Sequence, residues 1–390
     1  MQGKAGDKIK MYYVANARMP SEKAHGIQIA KMCEAFIEEG IDLVLVVPRR
    51  FTDARSVSVY YGLRVEVPVV RLPVFDWYAG GRVGYFISSV SFMVSYSFFI
   101  LRKKIMGEKC VLYTVDTDNY SSSLLALFGL PLFSEMHGAK FSTVAQRMLF
   151  KAARGIIAIN SIIVDELRQT FPRAHARYVV LPNGVDLSAF KAMDMQDARK
   201  QLGLAADERI VLYTGRFFDW KGLEILPQAA ALTPKVRWQV VGGEKQDFGD
   251  LVTESLPQNL FFAGSRPHNE MPLWFAAADA LLVLGTKRDV QSFRYTSPMK
   301  LFEYLAVERL IIASNTPAIR EIVSEKEVLF YEPDMAADLA RVVEYATMRP
   351  LECTPLVEAA AQLAKTHSWN SRATRIVQLI QEASVSPSTR

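Results

Sequence analysis

The sequence predicts an α/β protein built from two doubly wound parallel sheets, each covered by helices on both faces. A chain of 390 residues exceeds what one hydrophobic core normally organises, so we expect two domains. Short apolar runs alternate with amphipathic helical patterns through the first half. The alternation starts again after a polar connector at 186–208, which places the two domains at 1–187 and 188–368.

Strands and helices of the first domain follow one another regularly. Apolar runs with the length of strands lie at 9–15, 42–48, 110–116, 131–138, 155–160 and 177–186. Helical patterns lie at 27–40, through Leu124 and Leu125, at 144–153 and through 165–167. This repeated succession of strand, helix and strand predicts a parallel sheet.

The second domain repeats this pattern. Its apolar runs lie at 209–216, 237–243, 259–264, 279–286 and 310–313, and its helical patterns at 222–233, at 271–277 and after Ser297. In such sheets ligands bind beyond the carboxyl ends of the strands, and two domains that face each other leave a cleft for them.

Residues 83–101 form an uncharged stretch of 19 residues that Arg102, Lys103 and Lys104 follow directly. Its length is close to the roughly 20 residues that span a bilayer. Five serines and two tyrosines lower its hydropathy, however, and no second such segment accompanies it. We expect a helix that is buried or contacts a membrane surface through 83–104, with a true span as the alternative.

The composition argues against a nucleic-acid partner and indicates the cellular compartment. The formal charge of +5 is modest because 46 basic residues are spread among 41 acidic ones, so we expect no nucleic-acid partner. Cys33, Cys110 and Cys353 are far apart and lack metal-ligand spacing, which favours a reducing, cytoplasmic compartment. The amino terminus lacks the apolar core and cleavage site of a secretion signal.

The most informative segment for function is 294–323. Ser297 and Pro298 have the chemistry of an N-cap and a first helical residue. The free amides from Met299 onward would attract phosphate oxygens, and a bound phosphate would answer the charge of Lys300 in the same turn. Glu303 shares that face and could accept hydrogen bonds from sugar hydroxyls. These residues indicate a nucleotide site; the alternative is an ordinary surface helix.

Two cations follow the first strand of the second domain. Arg216 ends the apolar run directly after Gly215, and Lys221 lies on the loop before the next helix. An arginine fork and a lysine point charge could together hold both phosphates of a diphosphate. The alternative is a pair of solvated surface cations.

Seven segments occur in the order of a known family. They are MPSEKAHGIQIAKMCEAF, VLPNGVDLSAF, YTGRFFDWKG, VVGG, TSPMKLFEYLA, SNTPAIREIV and HSWNSRA. In these segments the chain resembles family 4 glycosyltransferases, retaining enzymes of the GT-B fold that take a sugar from a nucleotide-sugar. The resemblance implies that a last helix, 369–385, crosses back onto the first domain.

The resemblance also implies roles at the sugar donor. It assigns Arg216 and Lys221 to the diphosphate and Glu303 to the ribose, as the second glutamate of an E-x7-E motif. Tyr295 stands where that motif has its first glutamate, a departure that bears on the transferred sugar. The remaining candidate donor-binding residues are Gly26, Gly215, Arg266, Ser297, Pro298, Met299 and Lys300.

His137 follows an apolar strand where the family often places a histidine that touches the donor sugar, and Glu135 two residues earlier is suited to orient it. Gly26 would allow close approach of a ligand, or simply start a helix. Asp116 could contact acceptor hydroxyls or serve a plain loop role. The remaining candidates for acceptor contact are Lys23, His25 and Glu135.

Asp116, Thr117 and Asp118 spell a D-x-D, which elsewhere holds a metal on a diphosphate. Because GT-B enzymes use helix amides and basic side chains for that neutralisation, we expect neither a metal nor another cofactor. We therefore predict retaining transfer of a sugar from a UDP- or GDP-sugar to a saccharide or lipid-linked acceptor in cell-envelope or polysaccharide synthesis. The predicted location is the cytoplasm, with the inner face of the membrane as the alternative. Alternatives are an epimerase or phosphorylase of the same fold, or a nucleotide-sugar-binding protein without transfer activity.

Overall fold

The computed structural model describes residues 9–50, 55–77, 80–249 and 256–385. The chain divides into two compact units, Met1–Leu181 with Trp369–Arg390 and Pro182–Ser368. The first junction therefore lies between Leu181 and Pro182, where the sequence-based boundary was 187/188.

The first unit is built on a seven-stranded sheet in the order β3-β2-β1-β4-β5-β6-β7, all of it parallel. Its strands are β1 (Lys10–Val14), β2 (Asp42–Pro48), β3 (Val69–Leu72), β4 (Val111–Val115), β5 (Leu132–Met136), β6 (Ala153–Ala158) and β7 (Arg177–Val180). Its helices are α1 (Ala24–Glu38), α2 (Val57–Tyr61), α3 (Gly81–Ile105), α4 (Val144–Ala152) and α5 (Ser161–Thr170). Strands β4 and β5 are buried along their whole length, as expected for parallel strands covered on both faces.

The second unit has a six-stranded parallel sheet in the order β10-β9-β8-β11-β12-β13. Its strands are β8 (Ile210–Thr214), β9 (Arg237–Val241), β10 (Leu260–Phe262), β11 (Ala280–Val283), β12 (Leu310–Ser314) and β13 (Leu329–Tyr331). Its helices are α6 (Met195–Leu202), α7 (Ile225–Leu232), α8 (Lys245–Gly249), α9 (Met271–Ala277), α10 (Met299–Ala306), α11 (Pro317–Arg320), α12 (Ala336–Met348) and α13 (Thr354–Thr366). Two clusters of buried apolar residues make up its core.

Several elements differ from the sequence prediction. The helix through Leu124 and Leu125 is a 3₁₀ helix, Ser123–Phe128. Strand β7 ends at Val180, two positions before Pro182, which has no N–H to continue a ladder. The polar connector contains α6, whose N-cap Asp194 accepts a hydrogen bond from the Asp197 amide.

The final helix α14 (Trp369–Val385) belongs to the first unit, as predicted. Its Arg372 is buried and places Nη2 2.7 Å from Oε1 of Glu135. The Asn370 side-chain amide donates to Glu38, and the Thr374 hydroxyl donates to Glu39. These polar contacts, together with the buried apolar side chains of Ile376 and Ile380, hold this helix against the first sheet and α1.

Candidate functional site

The centre of the candidate site is Gly215, directly after β8. Its φ of 131° lies in a region that side chains rarely adopt. A Cβ atom built on Gly215 would lie 2.9 Å from Lys300 Nζ and 3.4 Å from Lys221 Nζ. Two ammonium groups therefore approach the same backbone position, and Arg216 is the next residue along the chain.

Lys300 reaches this position from the first turn of α10. Its half-buried ammonium donates to the Thr214 carbonyl and lies 4.0 Å from the centroid of the Tyr213 ring. Burial, and next the charge of Lys221, hold the pKa of Lys300 well below its usual value. An anion bound at this position would favour the charged form of Lys300 and so raise its pKa.

Lys221 ends the 3₁₀ turn Asp219–Lys221, which Gly222 terminates at a φ of 74°. Its Nζ donates to the Arg216 carbonyl at 2.9 Å and lies 4.9 Å from the centroid of the Phe218 ring. Burial, and next the charge of Arg216, lower the pKa of Lys221 to about 8. Arg216 and Lys221 are close together in the sequence, and the structure places Lys300 beside Lys221 as well.

The start of α10 differs in detail from the prediction. Pro298, with extended φ and ψ of −72° and 118°, is the N-cap, and Met299 is the first helical residue. Ser297 does not cap the helix because it engages Asn183: its hydroxyl accepts the Asn183 amide at 3.3 Å, and its carbonyl accepts the side-chain amide at 2.9 Å.

The same helix is anchored to the end of β8. The Tyr304 hydroxyl lies 2.8 Å from Thr214 Oγ1, and Leu301, Phe302 and Leu305 are fully buried beneath it. The first turn of α10 is therefore fixed next to Gly215. Its first amides and the cations at the β8 end form one positively charged locus.

Glu303 has a partner that the sequence reading missed. Its carboxylate is largely buried, and Oε1 lies 2.8 Å from Nε2 of His268. His268 in turn packs edge-on against Phe190, with ring centroids 5.4 Å apart. The ion pair or hydrogen bond fixes one carboxylate oxygen of Glu303 in place.

Two further predicted positions lie around this locus. Arg266 is exposed, and its Nε donates to the Ala263 carbonyl at 2.9 Å. Tyr295 closes a π-helical turn, Gln291–Tyr295, directly before the Thr296–Pro298 segment. Position 295 itself carries a phenol in place of the carboxylate of the motif.

In the first unit, Glu135 is a structural carboxylate, and its assignment to the acceptor is wrong. It is fully buried and accepts hydrogen bonds from Gln28, Tyr113 and Arg372 at 2.8, 2.6 and 2.7 Å. Despite the cost of burial, Arg372 and then His137 hold the pKa of Glu135 well below its usual range. An acceptor hydroxyl could reach this carboxylate only by displacing those partners.

The expected contact between Glu135 and His137 is present, with Oε1 2.8 Å from Nε2 of the imidazole. The His137 backbone amide donates to Asp116 Oδ1 at 3.0 Å, and Lys140 Nζ lies 2.6 Å from the other Asp116 oxygen. With its side chain 7% exposed, Asp116 positions the His137 loop, in agreement with the loop role that the sequence left open, and its contact with an acceptor stays a prediction. His137 itself remains partly accessible.

Gly26 also has a structural reason to be glycine. It is the third residue of α1, and a Cβ built there would lie 2.3 Å from the Tyr61 hydroxyl. That hydroxyl bridges the amide and carbonyl of Ser21 at 2.8 and 2.7 Å. A close approach that requires glycine is therefore made to Tyr61 within the first unit, and approach to a ligand stays a prediction.

Lys23 is the extended N-cap of α1, and His25 lies in its first turn. Burial and the charges of Lys23 and His137 lower the pKa of His25 to about 4. At neutral pH the His25 ring is therefore uncharged. It can donate and accept one hydrogen bond each, as a contact to hydroxyl groups requires.

The two carboxylates of the D-x-D have different partners. Asp118 accepts from the Tyr85 hydroxyl at 2.9 Å, from the Asn16 side-chain amide at 3.1 Å and from the amides of Tyr120 and Ser121. Asp116 is held by Lys140 and the His137 amide. Each aspartate therefore shapes its own loop.

Comparison with known proteins places these sites in context. Residues 194–363 match the sequence model of the family described as glycosyl transferases group 1, which covers most of the second unit. The chain is 26% identical over 240 residues to the D-inositol 3-phosphate glycosyltransferase of Thermobispora bispora, covering 56% of this chain and 54% of that protein. It thus spans about half the length, or less, of the curated relatives it matches.

Solved structures match over almost the whole chain. Sucrose-phosphate synthase from Thermosynechococcus elongatus has a TM-score of 0.74 at 19% identity, covering 96% of this chain and 99% of that one. HepE from Anabaena, solved in complex with UDP-glucose, has a TM-score of 0.68 at 17% identity, covering 96% and 100%. The chain therefore has the GT-B fold, and its second unit has the sequence pattern of group 1 glycosyl transferases.

Sequence reasoning missed His268, Lys140 and Arg372 as members of the two clusters. His268 follows a strand and a proline, a position similar to that of His137, so a search for histidines after strands would have found it. Arg372 lies within the HSWNSRA segment, but its partner Glu135 is 237 residues away. No local pattern links such distant residues.

Proposed function

We propose that this chain is a retaining glycosyltransferase that moves a sugar from a UDP- or GDP-sugar to a hydroxyl of a saccharide or lipid-linked acceptor. The observation that carries the proposal is the convergence of Lys221 and Lys300 on Gly215, with Arg216 adjacent, at the start of α10. Burial and mutual repulsion disfavour the charged forms of the two lysines, and a bound anion would stabilise those charged forms.

A diphosphate fits this locus better than a single carboxylate does. Its oxygens can accept from the amides at the start of α10 and from all three cations, while Glu303 is oriented by His268 for ribose hydroxyls. HepE, with which the chain shares its fold, is solved with UDP-glucose. The family match lies over the same unit.

The chemistry required of these residues is electrostatic. The bond between the anomeric carbon and the diphosphate oxygen breaks, a bond from that carbon to the acceptor oxygen forms on the same face, and the acceptor proton passes to the departing diphosphate. Arg216, Lys221, Lys300 and the Met299 amide would stabilise the growing negative charge. We propose that turnover needs no metal, so it should survive EDTA. His137 is proposed at the transferred sugar, as the resemblance implies.

The test is Arg216→Ala, assayed with UDP-glucose, GDP-mannose and ADP-glucose as sugar donors and analysed by product mass and anomeric configuration. For Arg216→Ala we expect turnover to fall by about a hundredfold or more, because the substitution removes a charge that stabilises the departing diphosphate. Thermal unfolding should be unchanged because Arg216 is exposed. Lys235→Ala, which removes an exposed cation of the same unit, serves as the control. Wild-type turnover by Arg216→Ala, or a product of inverted configuration, would refute the proposal.

A second candidate rests on Tyr295. Because the first glutamate of E-x7-E is replaced, the chain could bind a nucleotide-sugar without transferring it. Thermal-shift titration with UDP-, GDP- and ADP-sugars identifies the bound nucleotide, since a specific ligand stabilises the folded state by mass action. Tight binding with no transfer to any acceptor, together with transfer restored by Tyr295→Glu, would favour this reading.

A further inference from the structure

Helix α3 has an exposed face that is entirely apolar along most of its length. Between Val83 and Leu101, every residue of α3 with an exposed side chain is apolar. These residues are Val83, Phe86, Val90, Val94, Phe98 and Leu101, and Ile105 continues the row at 77% exposure. Their spacing of three or four residues places them on one stripe.

The opposite face of α3 is fixed in the first unit. Phe92, Tyr96 and Ile100 are buried, and the Tyr96 hydroxyl donates to the Ser121 carbonyl at 2.8 Å. Among the described residues, α3 alone is long and apolar enough to cross a membrane by length and composition. A helix with one face so anchored would have to abandon its packing to span a bilayer, so only its exposed stripe is free to meet an apolar partner.

Two aromatic residues beside the stripe enlarge it. The segment before α3 runs against the helix, with the Trp77 amide donating to Ser88 Oγ and the Phe75 amide to Ser91 Oγ, both at 2.9 Å. This fixed backbone leaves Phe75 65% and Trp77 48% exposed. Between them, Asp76 has a carboxylate oxygen 3.9 Å from Arg50 Nε, which offsets its charge. Exposed Trp and Phe next to an apolar helix face are typical of residues at a membrane interface.

Positive charge surrounds the stripe. Arg102, Lys103 and Lys104 occupy the last turns of α3, Arg82 lies at its start, and no acidic residue occurs in the helix. Lys103 pairs with Glu108 at 3.0 Å and Lys104 donates to the Phe128 carbonyl, so Arg82 and Arg102 carry most of the charge offered to a partner. Pairing with a second copy would be opposed in either direction. Parallel helices would bring the basic ends together, and antiparallel helices would place them against Arg82 and the positive end of the helix dipole.

We propose that the α3 face, comprising the apolar stripe with Phe75 and Trp77, docks on an anionic lipid bilayer with the helix lying along the surface. The apolar side chains enter the boundary between headgroups and acyl chains, and the basic residues contact anionic headgroups. This inference does not depend on sugar transfer, so the two can fail separately.

Flotation of the full-length protein with vesicles tests the proposal. We expect binding to vesicles of phosphatidylcholine and phosphatidylglycerol in equal parts, weaker binding to phosphatidylcholine alone, and release at high salt. Phe98→Glu should lower the partition coefficient by about tenfold or more, because a 70% exposed aromatic ring is lost from the centre of the face. Leu351→Glu, at an 86% exposed leucine of the second unit, is the matched control and should bind like wild type.

Fluorescence locates the contact. Vesicles should shift the tryptophan emission to shorter wavelength, and Trp77→Phe should abolish that shift while retaining binding. If Phe98→Glu unfolds at a lower temperature than wild type, Val94→Glu tests the apolar stripe and Arg102→Glu tests the basic residues of α3. Equal vesicle binding by Phe98→Glu, Val94→Glu and wild type would overturn the proposal. So would a wild-type dimer that Phe98→Glu converts to a monomer without any vesicle binding.

Discussion

Lys221 and Lys300 owe their positions to a residue that contributes no side chain. Gly215 lies at a φ of 131°, and Gly242, at 134°, would place a Cβ 2.3 Å from the Gly215 carbonyl oxygen. Two consecutive strand ends therefore meet backbone to backbone, which leaves room above Gly215 for both ammonium groups. The mutual repulsion of these cations and their burial disfavour their charged forms, and a bound anion would stabilise those charged forms.

Binding of UDP should therefore take up protons. The pKa of Lys221 is about 8 in the free protein, and an adjacent diphosphate favours the charged form and raises it. At pH 8 this group alone should take up about 0.5 proton, and much less at pH 6.5, where it is already charged. Affinity should accordingly be full below pH 8 and fall as the pH rises through and above it. Calorimetry in buffers of different ionisation enthalpy measures the uptake.

Lys221→Arg is the control for this prediction, because a guanidinium stays charged throughout that range. Its binding should lose the Lys221 share of the uptake while retaining affinity within about tenfold. A wild-type affinity that is constant from pH 7 to pH 9, with no uptake, would contradict the assignment of Lys221 to the phosphates.

His268 should act on the nucleotide only through Glu303. The 2.8 Å contact holds one oxygen of a largely buried carboxylate, so His268→Ala leaves that carboxylate without this partner and free to rotate. We expect the preference for UDP over 2′,3′-dideoxy-UDP to shrink by about tenfold, the value of one well-placed hydrogen bond to a charged group. His268→Asn, which can still donate, should retain part of it. Equal discrimination by His268→Ala and wild type would remove Glu303 from the ribose.

At the scale of elements, α14 combines a buried apolar face with one buried ion pair. Arg372 donates to both oxygens of Glu135 and to the Leu181 carbonyl, and the same carboxylate holds His137. The helix that closes the chain and the histidine after β5 therefore share a single fixed anion. The contact links the stability of the first unit to the orientation of its candidate sugar-contacting side chain.

Removing Arg372 should be strongly destabilising. Arg372→Ala leaves Glu135 buried without its main counter-charge, which costs about 3 to 5 kcal/mol of unfolding free energy. Urea denaturation followed by circular dichroism measures the loss. Arg375→Ala, an exposed arginine one turn further along the same helix, should change stability by less than about 0.5 kcal/mol. Equal stability of the two variants would show that the Glu135 pair contributes nothing.

At the scale of the molecule, the two sheets and the strand-end cations could be predicted from the sequence because both depend on residues that are close together in the chain. An apolar run predicts a strand, and Gly215, Arg216 and Lys221 follow one directly. Contacts between distant residues were not predictable in this way: Glu303 lies 35 positions from His268, and Glu135 lies 237 from Arg372. The partners of Gly26, Asp116 and Glu135 could not be predicted for the same reason. Tyr61, Lys140 and Arg372 are distant from them in the sequence or follow no local pattern, and only the folded structure reveals these contacts.

Because the chain divides into two units, we can predict which of them binds UDP. Arg216, Lys221, Lys300 and Glu303, the residues proposed at the diphosphate and ribose, belong to Pro182–Ser368. UDP added to the full-length protein should therefore slow amide hydrogen exchange at 214–222, 264–270 and 297–304, because ligand binding suppresses local opening of the segments it contacts. Arg216→Ala with the same UDP concentration should show little protection there. Protection centred instead on 116–140 of the first unit, with none around Gly215, would move the nucleotide to the His137 cluster and end the assignment of the cations to its phosphates.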